Sequence, residues 1–242
     1  IRAKEVIIST GSIERPLVFG NNDRPGVMLS SAAKEYIKVY GVLVGKKPII
    51  FTNNDSGYDT AIEFKKNGVD PLIVDVRKNS ESSIVKEAKN LNINIKFSHG
   101  VVNAIGYKKV NSAVIGKLNK EKTGYESLEN IICDCICVSG NWTPTVHLSS
   151  QSGNKLKFDE KVNAFVPNQP RQNESTIGSA KGKFTLKDSL QDGFIKGYDL
   201  SKKITGKDSK TEIPISNERA YANQDKFWCM PVPKNKNYKR CV

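Results

Sequence analysis

The clearest hydrophobic pattern lies in the middle of the chain, where short apolar runs alternate with stretches of helical spacing. Lys47–Thr52 (KPIIFT) and Pro71–Val76 (PLIVDV) are predicted as buried strands. Between them, Tyr58–Asn67 places apolar residues at helical spacing and stops at Gly68, a residue typical of helix ends. This order of strand, turn, helix and strand predicts a βαβ unit with a right-handed crossover.

The same alternation extends to both sides of this unit. A helix is predicted over Ser30–Tyr40, which starts with serines that can cap it. A helix over Ser83–Leu91 and a strand over Ile93–Phe97 follow the unit. Residues 101–118 alternate apolar and polar positions, which indicates a small antiparallel excursion, and Ile131–Val138 is a further predicted strand.

The two ends of the chain carry fewer signals. Lys4–Thr10 is an apolar run that stops at Gly11, which predicts a buried strand and a tight turn. Lys155–Val166 is predicted as a short hairpin, and Leu186–Leu200 as a helix. Residues 205–226 are polar without a strong period, so we interpret them as a linker.

The formal charge of +13 raises the question of a nucleic-acid partner. The lysines are scattered along the sequence, aromatic residues make up only 8%, and no stacking motif accompanies the charge. A solvated surface or a subunit interface therefore explains the charge better than a polyanion partner. No apolar run is long enough to predict a membrane span.

Five cysteines form no disulfide framework, so a reducing cytoplasm is the expected compartment. Cys133, Cys135 and Cys137 alternate along one predicted strand and are expected on one face as buried small hydrophobes. The sequence predicts no metal site and no catalytic residue. Because the chain opens without a Met or a leader segment, we interpret it as a fragment from the middle of a longer protein.

The turn after the first strand of the βαβ unit is the obvious place to look for a nucleotide. In such units, glycines bring backbone N–H groups close to a pyrophosphate, and an acid after the second strand binds the ribose. Thr52–Gly57 (TNNDSG) fills this window but keeps only the third glycine, and Asp75 lies in the place of the acid. The pattern predicts the fold strongly and the phosphate site weakly, because Asn54 and Asp55 replace small, neutral positions.

Two further strands end in glycine turns, one before this unit and one after it. Thr10, Gly11 and Ser12 follow the first strand, and Ser139 and Gly140 follow the later one. Such strand ends bring exposed backbone close to ligands in open α/β sheets. Their arrangement around the βαβ unit is typical of an inserted second dinucleotide domain.

In three segments, residues 9–29 (STGSIERPLVFGNNDRPGVML), 51–61 (FTNNDSGYDTA) and 133–160 (CDCICVSGNWTPTVHLSSQSGNKLKFDE), the chain resembles the alpha-subunit family of heterotetrameric sarcosine oxidase. This family is part of the two-dinucleotide-domain flavoprotein superfamily. The resemblance implies an α/β, Rossmann-like flavoprotein-type fold. Residues 1–41 and 125–204 would form an incomplete first domain, 42–124 an inserted second domain, and 205–242 a linker and the start of a small domain.

The resemblance also implies a function. Such an enzyme oxidises sarcosine to glycine, releases formaldehyde or passes the methyl carbon to tetrahydrofolate, and forms hydrogen peroxide. The alpha subunit would carry NAD, while FAD and FMN belong to the assembled complex with beta, gamma and delta subunits. The folate region would lie beyond this segment, and the segment alone would be inactive.

The expected cofactor contacts follow from the two folds. Thr10, Gly11 and Ser12 would abut the dinucleotide of the first fold, and Gly178 and Ser179 would form a matching late turn. The superfamily often has Gly-Asp there, so Ser179 points to a dinucleotide other than an ordinary flavin. Two alternatives stay open: the alpha subunit of an opine or proline dehydrogenase, and a non-catalytic scaffold with vestigial nucleotide sites.

Overall fold

The computed structural model describes residues 3–208, 212–216, 225–233 and 239–241. Contacts divide the chain into two compact units. The smaller unit combines Ile1–Ile13 with Trp142–Ala220, and the larger one combines Glu14–Asn141 with Tyr221–Val242.

The described residues form short strands, five α-helices and one 3-10 helix. The strands are β1 (Val6–Ile8), β2 (Ser12–Glu14), β3 (Val27–Leu29), β4 (Pro48–Thr52), β5 (Leu72–Asp75), β6 (Asn94–Phe97), β7 (His99–Ile105), β8 (Ser112–Leu118), β9 (Tyr125–Ile132), β10 (Cys135–Ser139), β11 (Trp142–Pro144), β12 (Lys155–Asp159), β13 (Ala164–Gln169) and β14 (Glu174–Thr176). The helices are α1 (Ser30–Tyr40), α2 (Ser56–Lys66), α3 (Ser83–Asn90), α4 (His147–Gln151), α5 (Leu186–Thr205) and the 3-10 helix Gly178–Lys181.

A parallel five-stranded sheet forms the centre of the larger unit, in the order β3-β10-β4-β5-β6. Successive side chains enter two different cores, because a strand points them to opposite faces. Ile50 packs in a core with α1, α2 and α3, whereas Ile49 and Phe51 pack in a second core with the antiparallel sheet β7-β8-β9. Both faces of the sheet are covered, which explains why its strands appear in the sequence as continuous apolar runs.

The predicted βαβ unit is present as β4, α2 and β5, with ends within two residues of those predicted. Gly68 follows α2 with a φ of +77°, which agrees with its predicted role at the helix end. The predicted strand Ile131–Val138 is wrong in one respect. The chain there completes β9 and then starts β10 after Cys133 and Asp134, whose carboxylate accepts the N–H groups of Lys46 and Lys47.

The three clustered cysteines are all buried and free, but they do not share one face. Cys133 precedes β10 and packs in the core beneath the antiparallel sheet, whereas Cys135 and Cys137 face the helices. Burial, with the negative charge of Asp134, raises the pKa of Cys133 to about 12. The Cys133 thiol therefore stays protonated and behaves as a small apolar side chain.

The compact larger unit extends beyond the predicted domain 42–124. Strand β3 hydrogen-bonds to β10 at one edge of the sheet, so residues 14–41 and 125–141 belong to the same unit as the βαβ element. Described residues of the segment predicted to begin a following domain, 225–233 and 239–241, also pack on this unit. For example, Met230 is 1% exposed within its core.

The smaller unit contains a parallel pair, β1-β14, the pair β2-β11 and the hairpin β12-β13. The hairpin lies where it was predicted. Helix α5 starts at Thr185, whose hydroxyl accepts the N–H of Asp188 at 3.0 Å, and ends at Gly206 in a left-handed conformation. Among the described residues, no helix is long and apolar enough to cross a membrane.

Candidate functional site

The first candidate binding site lies in the smaller unit, at the edge of the sheet where strands β1 and β14 end. The two strands are parallel, with Ile8 opposite Thr176, so their ends meet at the same edge. Beyond them, the N–H of Ile177 donates to the carbonyl of Ile8 at 3.0 Å. The turns that follow the two strands, Thr10–Gly11 and Gly178–Ser179, are therefore neighbours although they lie far apart in the sequence.

Gly11 leaves open space at this edge. Its φ is +77°, and a Cβ built on it would meet no atom within 4 Å. Thr10, by contrast, is directed inward, because its hydroxyl donates to the carbonyl of Thr145 at 2.6 Å. The N–H of Thr145 donates to the carbonyl of Gly11 at 2.9 Å, and Ser12 already begins β2. Thr145 thus fixes the turn, and the space where a Cβ of Gly11 would lie stays open.

The late turn obtains a carboxylate from a residue that sequence reasoning missed. The N–H of Gly178 donates to Asp192 of α5 at 2.9 Å, and Asp192 also lies 3.7 Å from the Lys181 ammonium. Asp192 thus places a negative charge beside Gly178 from a helix. The only available signal was helical spacing, since Asp192 lies one turn beyond Asp188, whose N–H donates to the capping Thr185.

The turn Thr52–Gly57 forms the second candidate edge, at the carboxyl end of β4 in the larger unit. The side chains of Thr52, Asn53, Asn54 and Asp55 are at most 2% exposed. Asn54 precedes Asp55, the N-cap residue of α2, and its side-chain oxygen accepts the N–H of Ser56 at 2.8 Å. Its amide group donates to the carbonyl of Ser139 at the end of β10, at 3.2 Å. Side chains thus occupy the position where a dinucleotide-binding turn exposes glycine backbone.

Asp75 lies at the end of β5, where the sequence pattern predicted it, but both carboxylate oxygens are engaged within the chain. The Arg77 guanidinium donates to them from Nε at 3.1 Å and from Nη2 at 2.8 Å. The hydroxyl of Tyr58 donates to Oδ2 at 2.8 Å, and the backbone N–H of Arg77 donates to Oδ1 at 2.9 Å. Arg77 also reaches Asp55 in the turn, at 2.7 Å.

The charges in this cluster shift the pKa values of its members. Burial alone would lower the pKa of Arg77, but the hydrogen bonds and charges of Asp75 and Asp55 outweigh it and raise that pKa. Burial and the neighbouring Asp75 carboxylate raise the pKa of Tyr58. Arg77 therefore remains a cation between two acids, and Tyr58 remains a donor. Sequence reasoning missed Arg77, although it follows Asp75 by only two positions.

No group of three or more His, Cys, Asp or Glu side chains in the described part of the chain could hold a metal ion. One further buried acid lies near the second edge. Glu14 is 4% exposed and accepts the N–H of Ser31 at 2.8 Å, at the start of α1. Burial raises the pKa of Glu14 above its ordinary value.

A parallel sheet with helices, and glycine turns at strand ends, define a flavoprotein-type dinucleotide fold, and comparisons with solved structures confirm it. Thioredoxin reductase from T. acidophilum aligns with a TM-score of 0.68 at 19% identity, over 84% of this chain and 67% of that chain. L-proline dehydrogenase from P. horikoshii aligns with a TM-score of 0.56 at 19% identity, over 84% and 35%. At this identity the likeness shows the fold alone.

In sequence, the chain is similar to sarcosine oxidase subunit alpha, which confirms the predicted resemblance. It is 32% identical to that of Corynebacterium sp. (strain P-1) over 195 residues, which are 80% of this chain and 20% of the relative. It is 28% identical to that of Rhizobium meliloti (strain 1021) over 246 residues, 98% of this chain and 23% of the relative. The chain thus spans about a fifth of these relatives' length, and no protein-family model matches it.

Proposed function

We propose that the chain is the dinucleotide-binding part of the alpha subunit of a multi-subunit flavoenzyme that oxidises sarcosine. The dinucleotide, which we propose is NAD, binds at the edge formed by Thr10–Gly11 and Gly178–Ser179. The observation that carries this proposal is the parallel pairing of β1 with β14, which brings both glycine turns to one edge. The similarity to sarcosine oxidase alpha subunits supplies the substrate class.

The residues at this edge fit a dinucleotide. The open side of Gly11 lets a pyrophosphate or ribose approach the backbone without meeting a side chain. The hydrogen bonds of Thr10 to Thr145 and of Gly178 to Asp192 hold both turns in place before any ligand arrives. A bound NAD or flavin would supply hydride or electron chemistry, whereas the residues described at this edge bind and orient.

The overall reaction would convert sarcosine, oxygen and water to glycine, formaldehyde and hydrogen peroxide, with tetrahydrofolate as an alternative acceptor of the methyl carbon. We place the amine site on another subunit, because the acid–base side chains named at the edge of β1 and β14, Asp192 and Lys181, are paired with each other, and Asp192 also accepts the N–H of Gly178. FAD, FMN and the beta, gamma and delta subunits belong to the proposed assembly, in the cytoplasm.

The test compares Gly11→Val with Gly41→Val in the assembled enzyme. Both glycines have positive φ, 77° and 65°, and open space around the added Cβ, so the two substitutions strain the backbone alike. With the dinucleotide supplied below its wild-type Kd, extraction and mass spectrometry should show at least about tenfold lower occupancy for Gly11→Val, since about 1.4 kcal/mol of lost binding raises the Kd tenfold. Gly41→Val should keep the occupancy of the wild type.

Three outcomes would contradict the proposal or favour an alternative. Unchanged occupancy in a folded Gly11→Val enzyme would remove the dinucleotide from this edge. Absence of NAD and FAD from the wild-type alpha subunit would favour a non-catalytic scaffold. Turnover of L-proline or an opine, without turnover of sarcosine, would favour the dehydrogenase alternative, which shares this fold.

A further inference from the structure

Residues 225–233, here called the tail segment, lie against the carboxyl edge of the five-stranded sheet in the larger unit. Asn53, the first residue after β4, makes three hydrogen bonds to this segment. Its side-chain amide donates to the carbonyls of Asp225 at 3.2 Å and Phe227 at 2.9 Å. Its own carbonyl accepts the N–H of Asp225 at 3.1 Å. The buried turn between β4 and α2 is thus bonded directly to the tail segment.

Lys122, in the turn between β8 and β9, and Tyr125, at the start of β9, also contact the tail segment. The Lys122 ammonium pairs with the Asp225 carboxylate and lies 5.6 Å from the centre of the Phe227 ring. The hydroxyl of Tyr125 donates to the carbonyl of Pro231 at 2.6 Å. A charge pair, a cation–π contact and a hydrogen bond therefore hold the segment in addition to the hydrogen bonds of Asn53.

Met230 anchors the middle of the tail segment. Its side chain is 1% exposed and lies on Gly100 at the start of β7, where an added Cβ would come within 2.2 Å of the Met230 methyl carbon. Strand-like hydrogen bonds flank it, from Val18 N–H to the Trp228 carbonyl at 2.9 Å and from Met230 N–H to the Val18 carbonyl at 2.8 Å. Met230 thus anchors the segment in the core of the unit.

We propose that the tail segment is the resident ligand of the second dinucleotide fold and that this fold binds its own chain in place of a nucleotide. Nucleotides in open α/β sheets bind outside the carboxyl ends of the strands. At this edge, the segment is bonded to Asn53, and Asp55 holds the guanidinium of Arg77. A pyrophosphate would have to displace the segment and approach the carboxylate of Asp55.

This inference goes beyond the proposed function and does not depend on it, because the proposed dinucleotide edge is in the other unit. In this inference, the role of the larger unit is to hold residues 225–233 in a defined position. The larger unit binds the segment as an extended peptide is bound: the Asn53 amide donates to two main-chain carbonyls, and the Met230 side chain packs in an apolar pocket at Gly100.

Hydrogen exchange measured by mass spectrometry on the intact alpha subunit tests this inference. In the wild type, the amides of Asp225 and Met230 should be protected, because both donate to the body of the unit. Asn53→Ala removes two hydrogen bonds to the segment and one from Asn54, and should speed exchange across 225–233 about tenfold or more. Asn67→Ala, at the other end of α2, removes one bond to Glu63 and should leave the segment unchanged.

A second measurement covers the case in which Asn53→Ala fails to fold. In the wild type, alkylation of the half-buried Cys229 should be slower than that of the exposed Cys241. Adding NAD or NADPH should leave exchange of residues 53–57 unchanged. Equal reactivity of the two thiols, tail-segment amides that exchange as fast as a free peptide, or nucleotide-dependent protection of residues 53–57 would each overturn the inference.

Discussion

Replacement of Arg77 by Met tests how strongly the buried Asp55–Arg77–Asp75 cluster stabilises the larger unit and its turn Thr52–Gly57. Arg77 is 7% exposed and both acids are fully buried. Met keeps much of the length and apolar volume of the side chain but leaves two buried carboxylates without their cation. Breaking a buried ion pair in this way costs about 3–5 kcal/mol. For a chain of this size, that corresponds to about 6–20 °C in melting temperature.

Thermal and urea unfolding, followed by circular dichroism, would measure the loss. Lys117→Met is the matched control, because Lys117 and its partner Glu126 are 50% and 49% exposed. An exposed pair of this kind contributes at most about 1 kcal/mol. The double variant Asp55→Asn/Arg77→Met should recover at least about 1 kcal/mol relative to Arg77→Met, since one uncompensated charge is removed. A loss below about 1 kcal/mol for Arg77→Met would refute this account of the closed turn.

Two further predictions concern the edges of the larger unit. A Cβ at Gly140 would lie 2.7 Å from the backbone carbonyl oxygens of Arg15 and Pro16, so Gly140→Ala should cost about 1–3 kcal/mol in the free energy of unfolding. Gly197→Ala, in a helix with no atom within 4 Å, should instead be neutral or stabilising in the same assay. Glu14 has a raised pKa in the folded state, so its burial disfavours folding once the pH exceeds the ordinary pKa of glutamate. Urea titrations at several pH values should therefore show Glu14→Gln gaining stability relative to the wild type as the pH rises from acid to neutral, and a constant difference would contradict this sign.

The elements of the βαβ unit could be predicted because their signals are local. Strand β4 is buried on both faces, and α2 alternates buried Tyr58, Ala61 and Phe64 with charged positions. The junction between β9 and β10 was predicted as one strand, because Ile131–Val138 is apolar on both sides of Asp134. The break depends on that carboxylate binding the N–H groups of Lys46 and Lys47, which is a tertiary contact.

The placement of the tail segment could not be predicted from its own sequence. Residues around Met230 show neither helical nor strand periodicity, so the sequence indicated the start of another domain. Their position depends on contacts with distant parts of the chain: Met230 packs against Gly100, and the Asn53 amide donates to the carbonyl of Phe227. Similarly, Gly178 and Thr10 could be suspected separately, but their proximity depends on the register of β1 with β14.

Asp75 shows why a single carboxylate at a strand end is weak evidence for a ribose contact. The same position can hold a ribose hydroxyl or an internal cation, and the choice depends on the neighbours of the acid rather than on the acid. Here the Arg77 guanidinium, the Arg77 backbone N–H and the Tyr58 hydroxyl together donate five hydrogen bonds to its two oxygens. Asp75→Ala would therefore leave a buried guanidinium and a buried phenol short of their acceptor, which lowers stability whether or not any nucleotide is bound. If an Asp75 variant lost its dinucleotide, the loss would thus identify a ribose contact only if the stability of the protein were unchanged. By contrast, lower dinucleotide occupancy in Gly11→Val, with wild-type occupancy in Gly41→Val, would indicate that the dinucleotide binds at the edge of β1 and β14.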